Sequence, residues 1–147
     1  MSRTPPPHDA PERSEVLASW ICAQLVNHAP EGWRRIDFSA AMTTSARDIR
    51  CAVIMRDGSS PAIEVPEGLV PALADLRREM YEPGRGTWLS LRYMIDPPDE
   101  FFAVYNRNLD PMWDPPLPAE AFAEDLEEFP RLDENIPQWL KEITEGK

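Results

Sequence analysis

Apolar positions along the chain change period several times, and each change marks an element. Leu17, Trp20, Ile21, Leu25 and His28 recur at helical spacing after Ser14, which predicts a helix N-capped by Ser14 and stopped by Pro30 and Gly32. Trp33 to Ala41 then reads as a strand through Trp33, Ile36 and Phe38. From Asp48 to Arg56 the alternation is cleaner, with Ile49, Cys51, Val53 and Met55 on one face. Asp57-Gly58 is a hairpin signal, so Pro61 to Val65 is expected to return as a third, short edge strand.

The period becomes helical again between Gly68 and Met80, where Leu69, Leu73, Leu76 and Met80 form the stripe of a helix lying on a sheet. Pro83 and Gly84 end it. Thr87 to Asp96 alternates, with Leu89, Leu91, Tyr93 and Ile95 facing one way and Trp88, Ser90, Arg92 and Met94 the other. Asp96-Pro97-Pro98-Asp99 turns the chain into a partner strand, Phe101 to Asn106. Prolines 111, 115, 116 and 118 then suppress regular structure until a short helix, Ala119 to Phe129, with Phe122, Leu126 and Phe129 on its inner face. A last helix after Pro137 is expected to bury Trp139, Leu140 and Ile143.

The sum is of the α+β class: a single domain over residues 14–147, an antiparallel β-sheet covered by helices, with an acidic Pro-rich segment and short helices at the C-terminus. Residues 1–13, with four prolines among polar residues, read as a flexible N-terminal tail. A chain of 147 residues is long enough to bury about 70% of its unfolded surface, so one hydrophobic core is the default.

Charge changes this picture in one place. The formal net charge is -11, and residues 96–134 hold 12 carboxylates against two arginines. A chain so acidic lacks the Lys/Arg stripe needed for nucleic acid and suits a basic protein partner instead. The default reading of a charge run is a solvated face. Two details weigh against it here. Glu120, Glu124, Glu127 and Glu128 are like charges at i, i+3 and i+4, each pair costing about 0.2–0.5 kcal/mol. Glu127 and Glu128 also stand at the negative end of the helix dipole. Trp113, flanked by Asp110 and Asp114, has the composition of an aromatic anchor with an acidic rim, and equally that of a tryptophan packed under a proline-rich loop.

Catalytic and cofactor chemistry finds little support. His8 and His28 are too few for a His-based metal site or triad, and the chain has no CxxC, no phosphate-binding glycine loop and no nucleophile elbow. The acidic spacing is not that of a calcium loop. No cofactor and no metal are therefore expected. Cys22 and Cys51 read as small buried hydrophobes rather than a disulfide. With no signal-peptide core and no stretch of about 20 apolar residues, the expected location is the cytoplasm. Gly84-Arg85-Gly86 and the arginines near it leave one alternative, a small ligand-binding or enzymatic domain using an Arg-rich site around Arg85 and Arg92.

The order of APEGW (Ala29 to Trp33), LRREMYEPGRGTW (Leu76 to Trp88), DLEEFPR (Asp125 to Arg131) and IPQWL (Ile136 to Leu140) resembles the YezG-like immunity family, bacterial antitoxins that neutralise polymorphic toxins. The resemblance spans about residues 15–143, although Asn106 and Arg107 stand where family members more often carry an Asp after the Tyr. It implies an α+β domain with no catalysis of its own that binds a cognate toxin domain, often a basic nuclease. The expected partner-binding residues are Asp110, Trp113, Asp114, Glu120, Glu124, Glu127 and Glu128.

Overall fold

In the computed structural model, which describes residues 12–98 and 100–146, four strands and four helices follow the order read from the apolar pattern. Helix α1 spans Arg13–His28, strand β1 Trp33–Met42, strand β2 Arg47–Met55 and helix α2 Leu69–Glu79. Strand β3 (Ser90–Asp96) and strand β4 (Glu100–Asn106) form the second hairpin, followed by helices α3 (Ala119–Glu128) and α4 (Gln138–Thr144). The sheet is antiparallel with strand order β2-β1-β3-β4.

One face of the sheet is dry. Ile36, Phe38, Ala40 and Met42 of β1, Val53 of β2, and Leu91, Tyr93 and Ile95 of β3 are buried with Ala18, Ile21, Cys22 and Leu25 of α1 and with Leu69, Ala72, Leu73 and Leu76 of α2. Each large side chain removed from water here contributes about 1.5–3 kcal/mol. Register fixes the inward set: Phe38 stands opposite Cys51 on one side and Tyr93 on the other, and the Phe38 and Tyr93 rings stack at 6.2 Å. Slipping either strand by one residue would expose the whole set. The Tyr93 and Tyr105 hydroxyls are 2.6 Å apart, so the polar tip of a buried ring is satisfied inside the core. Burial, and then this contact, push the Tyr93 phenol up from its ordinary value.

Among the described residues the opposite face is half-buried to exposed and carries ion pairs. Arg92 makes two hydrogen bonds to Asp37, at 2.9 and 2.6 Å, and Arg35 makes two to Asp96, at 2.8 and 3.0 Å. Exposed pairs like these contribute little each, about 0–1 kcal/mol.

Several local expectations are corrected. Helix α1 starts two residues earlier, with Glu12 rather than Ser14 at the cap, because Glu15 accepts the Glu12 N–H at 3.3 Å and closes the first turn. The expected flexible tail lies outside the described residues up to residue 11, and its last residue belongs to α1. The turn at Asp57-Gly58 forms, with the Met55 N–H donating to Ser59 O at 2.8 Å, but the returning strand shrinks to one bridge between Ala52 and Ala62. Pro61 and Pro66 supply no N–H, so a ladder cannot continue there. Trp88, expected to face outward, is 1% exposed, because regular β3 begins only at Ser90 and residues 87–88 are bound to Arg77 of α2, Thr87 donating its hydroxyl to the Arg77 carbonyl and Arg77 Nε donating to the Trp88 carbonyl. Trp139 and Ile143 are only half-buried, while Leu140 is buried as expected. No helix among the described residues is long and apolar enough to cross a membrane.

Candidate functional site

The acidic C-terminal segment is fastened to the body by two arginines. Arg77 lies on the buried face of α2, one position past Leu76, and donates to both carboxylate oxygens of Asp125 at 2.7 and 3.0 Å. Its Nε donates to the Trp88 carbonyl at 2.9 Å, and its guanidinium centre lies 4.9 Å from the Phe129 ring. Thr44 donates its hydroxyl to Asp125 at 3.0 Å. Both charges are thus paired and hydrogen-bonded, which a buried ion pair requires. Asp125 stood in the sequence as one more acid of a charged run. It is in fact turned into the protein, on the face shared by Phe122 and Phe129.

Arg131 is the second fastening. Its guanidinium donates to the carbonyls of Arg107 (2.7 Å), Asn135 (3.2 Å) and Thr87 (3.3 Å) and to the Asn108 amide oxygen (3.0 Å). Burial pulls this guanidinium down from its ordinary value. Room for it exists because residue 86 is glycine: a Cβ on Gly86, at φ +92°, would come within 2.7 Å of Arg131 Cζ. The Arg131 contacts hold the start of the loop that follows β4, and the Trp139 indole N–H adds a hydrogen bond to Asn108 O at 2.8 Å.

On this support the expected contact residues fall into two groups. Asp110, Trp113 and Asp114 gather around a cleft of about 380 Å³ whose floor includes Leu117, Phe122 and Ile143. Asp110 accepts the Met112 N–H at 2.9 Å, closing a turn in which Met112 takes φ +63° and stays 76% exposed. Trp113 is half-buried, so it both packs under the loop and remains reachable. Glu120, Glu124, Glu127 and Glu128 are exposed on the side of α3 opposite Phe122. Among the described residues none of these four meets an Arg, Lys or His within ion-pair distance, and the last turn of α3 has no basic residue. The four glutamates form a ridge behind the cleft and do not line it.

Arg85 and Arg92 are not brought together. Arg92 lines a cleft of about 350 Å³ on the open sheet face with Ser39, Arg50, Ser90 and Asn106. Arg85 lines a smaller one, about 220 Å³, with Arg107, Asn108 and Asn135. Their charges are partly met, Arg92 by Asp37 and Arg85 by Glu82 at 3.5 Å. Among the described residues no group of three His, Cys, Asp or Glu side chains is placed to hold a metal ion. Cys22 and Cys51 are both free thiols, and burial pushes the Cys22 thiol up to about 12.

Arg77, Asp125 and Arg131 are the residues that periodicity alone passed over. The signal was there in phase: Asp125 falls three residues after Phe122 and four before Phe129, and Arg77 follows the Leu73 and Leu76 stripe. An acid and a base, each placed on an apolar face, are the pair to match. The sequence matches no family model and no curated protein.

Proposed function

We propose that this chain is an immunity protein, a stoichiometric inhibitor that binds a basic toxin domain in the cytoplasm and has no catalytic activity of its own. The observation that carries the reading is the exposed glutamate ridge of α3, four like charges without counter-ions among the described residues, on a helix whose other face is fastened to the core by Arg77 and Asp125. Like charges at this spacing cost helix stability, and among the described residues no basic side chain offsets the cost. A basic partner would offset it. The cleft holding Asp110, Trp113 and Asp114 supplies an apolar anchor with an acidic rim on the other side of the same segment. Such a field acts first on encounter, raising the association rate more than the final affinity.

The test is association with the toxin domain encoded beside this gene, measured at low and high salt. The expected result is an association rate that falls steeply with salt and drops at least about tenfold when Glu120, Glu124, Glu127 and Glu128 are all changed to Lys. Binding that ignores both salt and the reversal would reject the acidic surface. Absence of any binding to the toxin would reject immunity itself.

A further inference from the structure

The two edges of the sheet are finished differently. On β2 the edge is interrupted by the bridge from Ala52 to Ala62, followed by a segment bounded by Pro61 and Pro66. On β4 the edge is bare among the described residues: the strand reads EFFAVYN, pairs only with β3, and contains no proline, lysine or bulge. Natural sheets guard exposed edges with such devices, and a long apolar edge without them is a template for another strand. The side chains agree, since Phe101, Phe102 and Val104 are 44%, 58% and 47% exposed. Beneath the edge an apolar groove of about 700 Å³ runs between α1 and β4, lined by Val16, Ala18, Met80, Phe101, Ala103 and Tyr105.

We propose that β4 pairs with β4 of a second copy of this chain, antiparallel about a two-fold axis at Ala103, to give a continuous eight-stranded sheet. An antiparallel pair places residues of the same face opposite one another, and centring it on Ala103 uses all seven residues of the strand. Phe102 of one copy then faces Val104 of the other, Phe101 faces Tyr105, and Glu100 faces Asn106. Aromatic residues meet aromatic or β-branched ones, and no like charges are opposed. The grooves beside the two edges become continuous under the joined sheet. A second copy fits this edge better than a basic partner does, because the only charge on β4 is Glu100, whereas the glutamates suited to a basic protein lie on α3. The isologous contact also leaves that ridge free.

The experiment is the mass in solution, by light scattering coupled to gel filtration, of the wild-type chain, of the Phe102→Lys/Val104→Lys double variant, and of Ala103→Cys after mild oxidation. The expected wild-type mass is twice the 16.8 kDa of one chain. The lysine variant should be monomeric with an unchanged circular dichroism spectrum. Ala103→Cys should cross-link to itself, because only this register brings residue 103 opposite its own copy. Salt should strengthen the dimer by screening two chains of net charge -11 while it weakens binding of a basic toxin, so the two proposals fail separately. A wild-type chain that stays monomeric at micromolar concentration overturns the proposal. So does a dimer in which Ala103→Cys does not cross-link. Amide protection of β4 appearing only when the toxin is added would assign the edge to the partner instead, and also overturns it.

Discussion

Arg77 and Asp125, 48 residues apart in the chain, meet through two hydrogen bonds of 2.7 and 3.0 Å in a site where their side chains are 2% and 9% exposed. This contact joins α2, whose other inward residues belong to the core, to α3, whose outward residues carry the acidic ridge. Removing one partner of a buried pair leaves an uncompensated charge in a dry site.

Asp125→Ala should therefore lower unfolding stability by about 3–5 kcal/mol in urea titration, and Arg77→Met by a similar amount. The double variant Arg77→Met/Asp125→Ala should lose much less than the sum of the two. Full additivity would show that the pair is not coupled.

Gly86→Ala is expected to destabilise by more than about 1 kcal/mol, since φ +92° is strained for any Cβ and the Arg131 guanidinium occupies the space. Combined with Arg131→Ala it should cost less than the sum of the two single losses, because the clash disappears while the Arg131 hydrogen bonds are already lost. A thermal melt of the three variants gives the comparison.

On the open sheet face, hydrogen bonds from Arg92 hold the Asp37 carboxyl below its ordinary value of 3.8, and those from Arg35 do the same for Asp96. A carboxyl whose folded-state pKa lies below its unfolded value contributes stability above the unfolded value and loses it as pH falls through the folded one. Carboxyl-carbon NMR should find the Asp37 midpoint below 3.8, and Arg92→Gln should move it upward. Asp37→Asn should flatten the acid limb of the stability curve below that pH.

Cys22 should resist thiol reagents in the folded protein at pH 8, because burial holds its pKa near 12 and leaves almost no thiolate. Denaturation should release it to full reactivity. Rapid modification of Cys22 in the native state would contradict its placement between α1 and the sheet.

Much of the fold was legible because the apolar pattern repeats with a local period. The Leu69, Leu73 and Leu76 stripe and the alternation of Leu91, Tyr93 and Ile95 are set by neighbours a few residues away, and the structure buries all six. Alternation alone misplaces Trp88, because no local rule marks the point where β3 begins. Pro61 to Val65 was expected to be a strand on the strength of a good turn, but its two flanking prolines deny it a ladder. The candidate site was less legible. Composition located the acids, yet which of them face water depends on the rotation of α3, and that rotation is decided by a residue 48 positions away.

That last dependence gives Asp125 a role as an index mark. A helix turns about 100° per residue, so a slip of one position would swing Glu124 toward Arg77 and carry the remaining acids a quarter turn around the axis. One carboxylate withdrawn from the surface thereby sets the compass bearing of the four that remain on it.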